Sequence, residues 1–368
     1  MSIPSRRIRK ILFIHFGGIG DVILAFPALQ SLRETFPAAR ITTLVEPRAK
    51  GIKAFSPAID EVLTFAAKAR PTVGELLDLV GQLRHGAFDL GIASGRSPVM
   101  PALLWLAGIR WRIGYAANCL AWTLSRAIPL QTQQYAGNMY YDLIVPLVKI
   151  PPRLPQVALA PEDRAWAVEF LVRRGVVDGD RLVVIHPGAS RMAELRGIHK
   201  TWSPANWVEL IQRLKSAGFQ LVLAGGPDDE EVIKTILAGL FWHSAGDKVH
   251  LAYGQTNSLG QLAALIQRGQ LLIAVDSAPM HLGVAVGTPT VALFGPTDPQ
   301  KLLPAGTMHQ AVHVTGLPCR PCLWDRRNTT CHELTCLNSL AVEQVLQAVW
   351  RALPNQVPSS EAPGCERL

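Results

Sequence analysis

The chain has 368 residues, enough for two domains of ordinary size, each with its own core. With 49% hydrophobic and 17% charged residues, it is globular and no disordered tail dominates it. The 36 Lys and Arg against 28 Asp and Glu give a formal charge of +8, a balance that suits nucleic acid, an acidic membrane surface or a phosphorylated substrate.

The start, RRIRKILFIHFGGIGD, is basic and then apolar like a secretory leader. His15, the glycines and Asp21 interrupt it and no small-residue cleavage site follows, so no leader is expected. No run of about 18 apolar residues goes unbroken, so no spanning helix is expected either. ILFIH (11–15) reads as the first strand. A glycine-rich turn follows, and Val22, Ala25, Phe26 and Leu29 then fall on one side of a helix. ITTLV (41–45), EVLTF (61–65) and FDLGIA (88–93) read as further strands. Strands alternating with helical patterns imply a parallel sheet covered on both faces.

Five prolines crowd the seventeen positions 146–162, which predicts a linker. The predicted division is residues 1–155, residues 156–350 and a flexible tail at 351–368. The second half repeats the alternation, with strands at RLVVIH (181–186), QLVLAG (220–225), LLIAV (271–275) and TVALFG (290–295). Ser203 is placed to cap a helix with Pro204 in its first turn. Trp207, Leu210, Ile211 and Leu214 would form that helix's buried side. The expected fold class is α/β, two doubly wound Rossmann-like domains with a cleft between them, and ligands at the carboxyl ends of the strands.

Four turns carry candidate chemistry. In HFGGIGD, Gly18 and Gly20 lack the third glycine of a dinucleotide fingerprint, because position 23 is Ile23, and the Lys-Ser/Thr of a P-loop is missing too. A nicotinamide-dependent dehydrogenase is thereby disfavoured. Asp21, near a helix N-terminus, reads either as a cap or as a general base. In DSAPMHLGVAVGTPT, the turn at Asp276, Ser277 and Ala278 opens a helix suited to an anion, with His281 one turn on. In HPGASRMAELRGIHKTW, Ser190 and Lys200 would flank a diphosphate, with the lysine facing a leaving group. In GGPDDEE, an acid shortly after a strand end is placed for ribose hydroxyls. Cys319, Cys322, Cys331 and Cys336 are spaced either as a zinc or iron site or as four reduced thiols. The positive charge has no basic–aromatic module beside it, so no nucleic-acid partner is expected.

GGIGDVILAFPALQSLRETFP, the HPGAS…KTW segment and DSAPMHLGVAVGTPTVALFGPT together resemble glycosyltransferase family 9, the lipopolysaccharide heptosyltransferases. The likeness runs from about Ile11 to Cys336, and FDLGIASGRSP and IRWRIGY are similar to the family's acceptor-side region. The resemblance implies the two-domain GT-B architecture and transfer of a heptose with inversion, from ADP-heptose as the expected donor, to a lipopolysaccharide inner core or a related glycan. It implies Asp21 as the base and Lys200 as the residue balancing the diphosphate. Donor contacts would come from Gly18, Gly20, Ser190, Asp229, Asp276, Ser277, Ala278 and His281. Arg96, Arg110 and Arg112 are the candidate contacts to a phosphorylated, lipid-linked acceptor. It further implies a cytoplasmic enzyme peripheral to the inner membrane, needing no cofactor for catalysis, with any zinc or iron at the cysteines structural. Two departures stand out: Ala278 where the family usually has glycine, and a longer segment between Ser190 and Lys200. The alternative of another class is a sugar-nucleotide-binding protein of the same fold without catalysis.

Overall fold

The computed structural model describes residues 8–69, 71–241, 248–324 and 326–353. The chain divides into two compact units, Met1–Ala158 and Leu159–Leu368. Each is built on one six-stranded, wholly parallel sheet.

In the first unit the strands are β1 (Lys10–His15), β2 (Arg40–Val45), β3 (Glu61–Thr64), β4 (Leu90–Ala93), β5 (Trp111–Tyr115) and β6 (Arg126–Ile128), in spatial order β3-β2-β1-β4-β5-β6. The helices are α1 (Ile19–Leu24), α2 (Phe26–Thr35), α3 (Val73–Gly86), α4 (Val99–Leu106) and α5 (Ala136–Asp142). Beyond Lys10, every residue of β1 is buried, as expected of a central strand covered on both sides. Leu12 and Ile14 pack with Leu79, Leu83, Leu103 and Leu104 of the covering helices. The helical stripe expected from Val22 to Leu29 is split at Ala25 between α1 and α2. Pro27 lies in the first turn of α2 and has no amide to extend the hydrogen-bond ladder backwards.

The second unit contains β7 (Leu182–His186), β8 (Gln220–Leu223), β9 (Val249–Leu251), β10 (Leu271–Val275), β11 (Thr290–Leu293) and β12 (His309–Val312), in order β12-β11-β10-β7-β8-β9. Its helices are α6 (Pro161–Val172), α7 (Arg191–Glu194), α8 (Pro204–Ser216), α9 (Glu230–Phe241), α10 (Leu259–Arg268), α11 (Ala278–Val286), α12 (Pro299–Leu302), α13 (Thr335–Asn338) and α14 (Val342–Ala352). Trp207, Leu210, Ile211 and Leu214 of α8 are buried as their spacing requires. Ser203 stands at the N-cap of α8, but its side chain accepts no capping hydrogen bond. The helix α14 runs through Ala352, so the segment assigned to a tail from 351 starts inside a helix; residues 354–368 lie outside the described residues.

The two sheets share one winding. In each, the first strand of the unit and the fourth are neighbours, β1 beside β4 and β7 beside β10. There the strand order reverses direction, and the loops at the carboxyl ends diverge to leave a binding crevice.

Candidate active site

In the first unit the crevice lies at the ends of β1 and β4. Asp21 is the third residue of α1, and its Oδ2 accepts the Gly18 amide at 2.7 Å. The side chain is only half-buried, so it closes the turn and still reaches solvent. His15, the last residue of β1, is 3% exposed. Its Nδ1 lies 2.6 Å from the Ser94 hydroxyl beyond β4, and that hydroxyl donates to the Ile14 carbonyl at 2.8 Å. With the hydroxyl proton so committed, Nδ1–H is the donor and Nε2 carries the lone pair. Nε2 is buried and has no hydrogen-bond partner.

The turn is tight enough to require glycine at one position. A Cβ on Gly17 would lie 2.4 Å from His15 Nε2 and 2.8 Å from Asp21 Oδ2, so the imidazole nitrogen and the carboxylate adjoin one small space. Burial pushes the His15 pKa down to about 4, with Asp21 opposing and Lys68 adding to the shift. The Tyr140 ring meets the imidazole edge-on at 4.9 Å. Burial and the nearby Asp21 charge hold its phenol well above the usual range, opposed by Arg96. His15, Ser94 and Tyr140 were not among the candidates read from the sequence, because His15 and Ser94 are isolated polar residues at the ends of apolar strands and Tyr140 lies inside α5 in AGNMYYD with no motif around it. The only local signal was His15 as a polar terminus to ILFI.

In the second unit the crevice lies at the ends of β7 and β10. Lys200 Nζ is 2.8 Å from Asp276 Oδ2 across 76 positions of sequence. The Thr297 hydroxyl donates to the same oxygen at 2.7 Å. Asp276 is 4% exposed. Its burial, which favours the neutral acid, is outweighed by Lys200, Thr297 and His281, so its pKa is lowered. The ammonium is thus fixed where β10 hands over to α11, whose N-terminal amides and dipole add positive potential. Ser277 is the N-cap of α11, but its hydroxyl donates back to the Val275 carbonyl at 3.3 Å and does not cap the helix. Ala278 is the first residue of α11, and His281 is buried on the same helix.

The segment between Ser190 and Lys200 is folded, not slack. Ser190 stands at the N-cap of the short α7, its carbonyl accepting the Ala193 amide at 2.8 Å, and the Gly197 carbonyl accepts both the amide and the hydroxyl of Thr330. Trp202 is buried on Trp207, ring centroids 5.2 Å apart, and donates Nε1–H to the Leu340 carbonyl at 2.9 Å. These anchors fix the stretch that carries Lys200. The neighbours of Lys200, His199 and Thr201, line a separate cavity of about 660 Å³ with Ala189, Arg191, Asp228 and Lys234.

Asp229 lies elsewhere than expected. It is 5% exposed; Oδ2 accepts the Gly226 amide at 2.8 Å and stands 3.5 Å from His186 Nε2. Burial raises the Asp229 pKa against the pull of His186, and burial lowers that of His186. The side chain is packed between the β7 and β8 turns. The acids that line the cavity are Asp228, Glu230, Glu231 and Glu194.

The arginines also divide. Arg112 Nε donates to the Thr123 carbonyl at 2.6 Å and Nη1 to the carbonyls of Ile109 and Arg110, so this guanidinium ties a loop together. Arg96 and Arg110 are exposed. Among the described residues, no group of three or more His, Cys, Asp or Glu is arranged to hold a metal. Cys319 is exposed, Cys331 half-buried, and Cys322 and Cys336 buried, all as free thiols. The zinc or iron reading of these cysteines has no support among the described residues. What the structure does show for their loop is a clamp: the Cys322 amide binds the Pro296 carbonyl at 2.9 Å, and Thr330 holds Gly197.

Residues 76–332 match the model of glycosyltransferase family 9 (heptosyltransferase). Among curated proteins, the chain is 28% identical over 294 residues to lipopolysaccharide heptosyltransferase 3 of Escherichia coli, covering 76% of this chain and 81% of that protein. Among solved structures, a family 9 glycosyl transferase from Veillonella parvula superposes with a TM-score of 0.75 at 22% identity, covering 94% of this chain and 97% of that one. The Escherichia coli ADP-heptose lipopolysaccharide heptosyltransferase II gives 0.73 at 20% identity, covering 95% and 100%. At such identities the structural likeness establishes the fold, which is GT-B. The span matched by the family model includes the Ser190–Lys200 and Asp276–His281 turns and begins after the Asp21 turn.

Proposed function

The chain belongs to glycosyltransferase family 9, and from that premise we propose that it is an inverting heptosyltransferase using ADP-heptose as donor. The proposed acceptor is a sugar hydroxyl of a lipopolysaccharide inner core or a related lipid-linked glycan. Asp21 takes the proton of that hydroxyl as its oxygen bonds to the anomeric carbon. The bond from that carbon to the diphosphate breaks on the opposite side, and ADP leaves with the electron pair.

The observation that carries this reading is the Lys200–Asp276 pair at the N-terminus of α11. A leaving diphosphate gains negative charge in the transition state, and a fixed ammonium beside helix amides stabilises it without reorganising. In this reading Asp276 does not touch phosphate. A buried carboxylate would repel it, so its part is to hold Lys200 in place. Ser190, Ser277, Ala278 and His281 surround the same turns, and Gly18 and Gly20 let a ligand approach the Asp21 turn. The cavity beside α7 and α9 takes the nucleoside, with Asp228 and Glu230 better exposed for ribose hydroxyls than the packed Asp229. His15, neutral at pH 7, offers Nε2 as a second acceptor beside the base. Arg96 and Arg110 are the proposed contacts to acceptor phosphates, with Arg112 shaping their loop.

The test offers the purified protein ADP-, GDP- and UDP-sugars and reads thermal stabilisation and product. ADP-heptose at a hundredfold excess over its dissociation constant should raise Tm on the order of 5 °C and yield a heptosylated acceptor. Stabilisation with no transfer to any acceptor would favour a binding protein; no response to any sugar nucleotide would overturn the reading.

A further inference from the structure

We propose that the surface formed by α4 and the turn Ala121–Thr123 is a docking face for an anionic phospholipid bilayer. This goes beyond the proposed reaction, because none of the observations concerns the donor. The helix α4, VMPALLWL, has no polar residue at all. Met100, Leu103 and Leu104 fill its core side, and a helix with one buried side normally turns polar residues outward. Here the outward side is Val99, Trp105 and Leu106, 43%, 50% and 41% exposed. Trp122, 72% exposed, stands beside Trp105 with ring centroids 6.3 Å apart. Single exposed apolar residues are ordinary, whereas adjoining ones mark an interaction surface.

Charge selects the partner. From Leu90 to Tyr141 the sequence has Arg96, Arg110, Arg112 and Arg126 and no Asp or Glu. Arg110 and Arg126 are exposed. Arg84 adds a further cation at the end of α4, its Nε donating to the Leu106 carbonyl at 2.8 Å. The acids that bound this stretch are engaged: Asp89 accepts the amides of Arg9 and Lys10, and Asp142 accepts from Gln134. Tryptophans favour the headgroup layer of a bilayer, and arginines favour anionic headgroups. A second copy of the chain would bring two such basic stretches together and repel.

The experiment sediments the full chain with vesicles of phosphatidylglycerol and phosphatidylethanolamine, and with phosphatidylcholine alone, at low and high salt. The wild type should bind the anionic vesicles, more weakly at high salt. The double variant Trp105→Ser, Trp122→Ser should bind on the order of tenfold less with an unchanged Tm, both residues being exposed. No binding of wild type to anionic vesicles, or equal binding by the double variant, would overturn the proposal. So would light scattering that shows a wild-type dimer which the double variant splits. None of these readouts uses a sugar nucleotide, so failure of the transfer reaction would appear separately, as absent turnover with vesicle binding intact.

Discussion

His15 shows how one side chain changes character with its surroundings. Enclosed at the end of β1, it is held neutral by burial, with a pKa of about 4 against an ordinary value of 6.5. The unfolded chain binds its proton below about 6.5, and the folded chain does so only near 4. Between those values the unfolded state holds more protons, so stability falls as pH drops through that window and is unaffected above it. The ring signals of His15, followed by nuclear magnetic resonance, should titrate with a midpoint near 4. A midpoint near 6.5 would contradict the buried, neutral imidazole. The sequence marked this residue only as a polar end to the run ILFI, since burial is a tertiary property. The same reason explains Asp229 and Arg112. Their residue types suggested ribose and phosphate contacts, but their partners are the Gly226 amide and three carbonyls supplied by folding.

At the scale of elements, the second unit depends on an interlock between two turns. The turn after β7 contains Gly188, and a Cβ there would meet Asp229 Oδ1 at 1.8 Å. Replacement by alanine must displace the carboxyl from the Gly226 amide and from His186. The variant Gly188→Ala is expected to lose about 2 kcal/mol of stability, read as a lowered urea midpoint with an unchanged slope. An unchanged midpoint would contradict the interlock. Which elements the sequence revealed follows from burial as well. The central strands β1, β7 and β10 are near-continuous apolar runs and β2, RITTLV, is rich in β-branched residues; all four were read within a residue of their ends. The strands β5, β6, β9 and β12 were missed. They are short, three to five residues, and β6 is an edge strand with mostly exposed residues. Pattern alone does not separate such segments from loops. The split at Ala25 was hidden for a related reason: helical spacing continues through it, and only the missing amide of Pro27 marks it.

At the scale of the whole molecule, two units of the same winding each place charged chemistry at the reversal of strand order. The alternation of strands and helices, the proline-rich link and the strand-end motifs made that architecture legible. The partners inside each site, Ser94 with His15 and Thr297 with Asp276 and Lys200, became visible only with the fold, because they come from distant segments. The central claim is a division of labour, with the base in the first unit and the donor site in the second. The measurement that tests it most directly compares Asp21→Asn with the wild type, since the amide keeps the size of the side chain and removes its basicity. Turnover should fall by about a hundredfold or more, while stabilisation by ADP-heptose stays as in the wild type. Turnover within twofold of the wild type would contradict the assignment of Asp21 as the base.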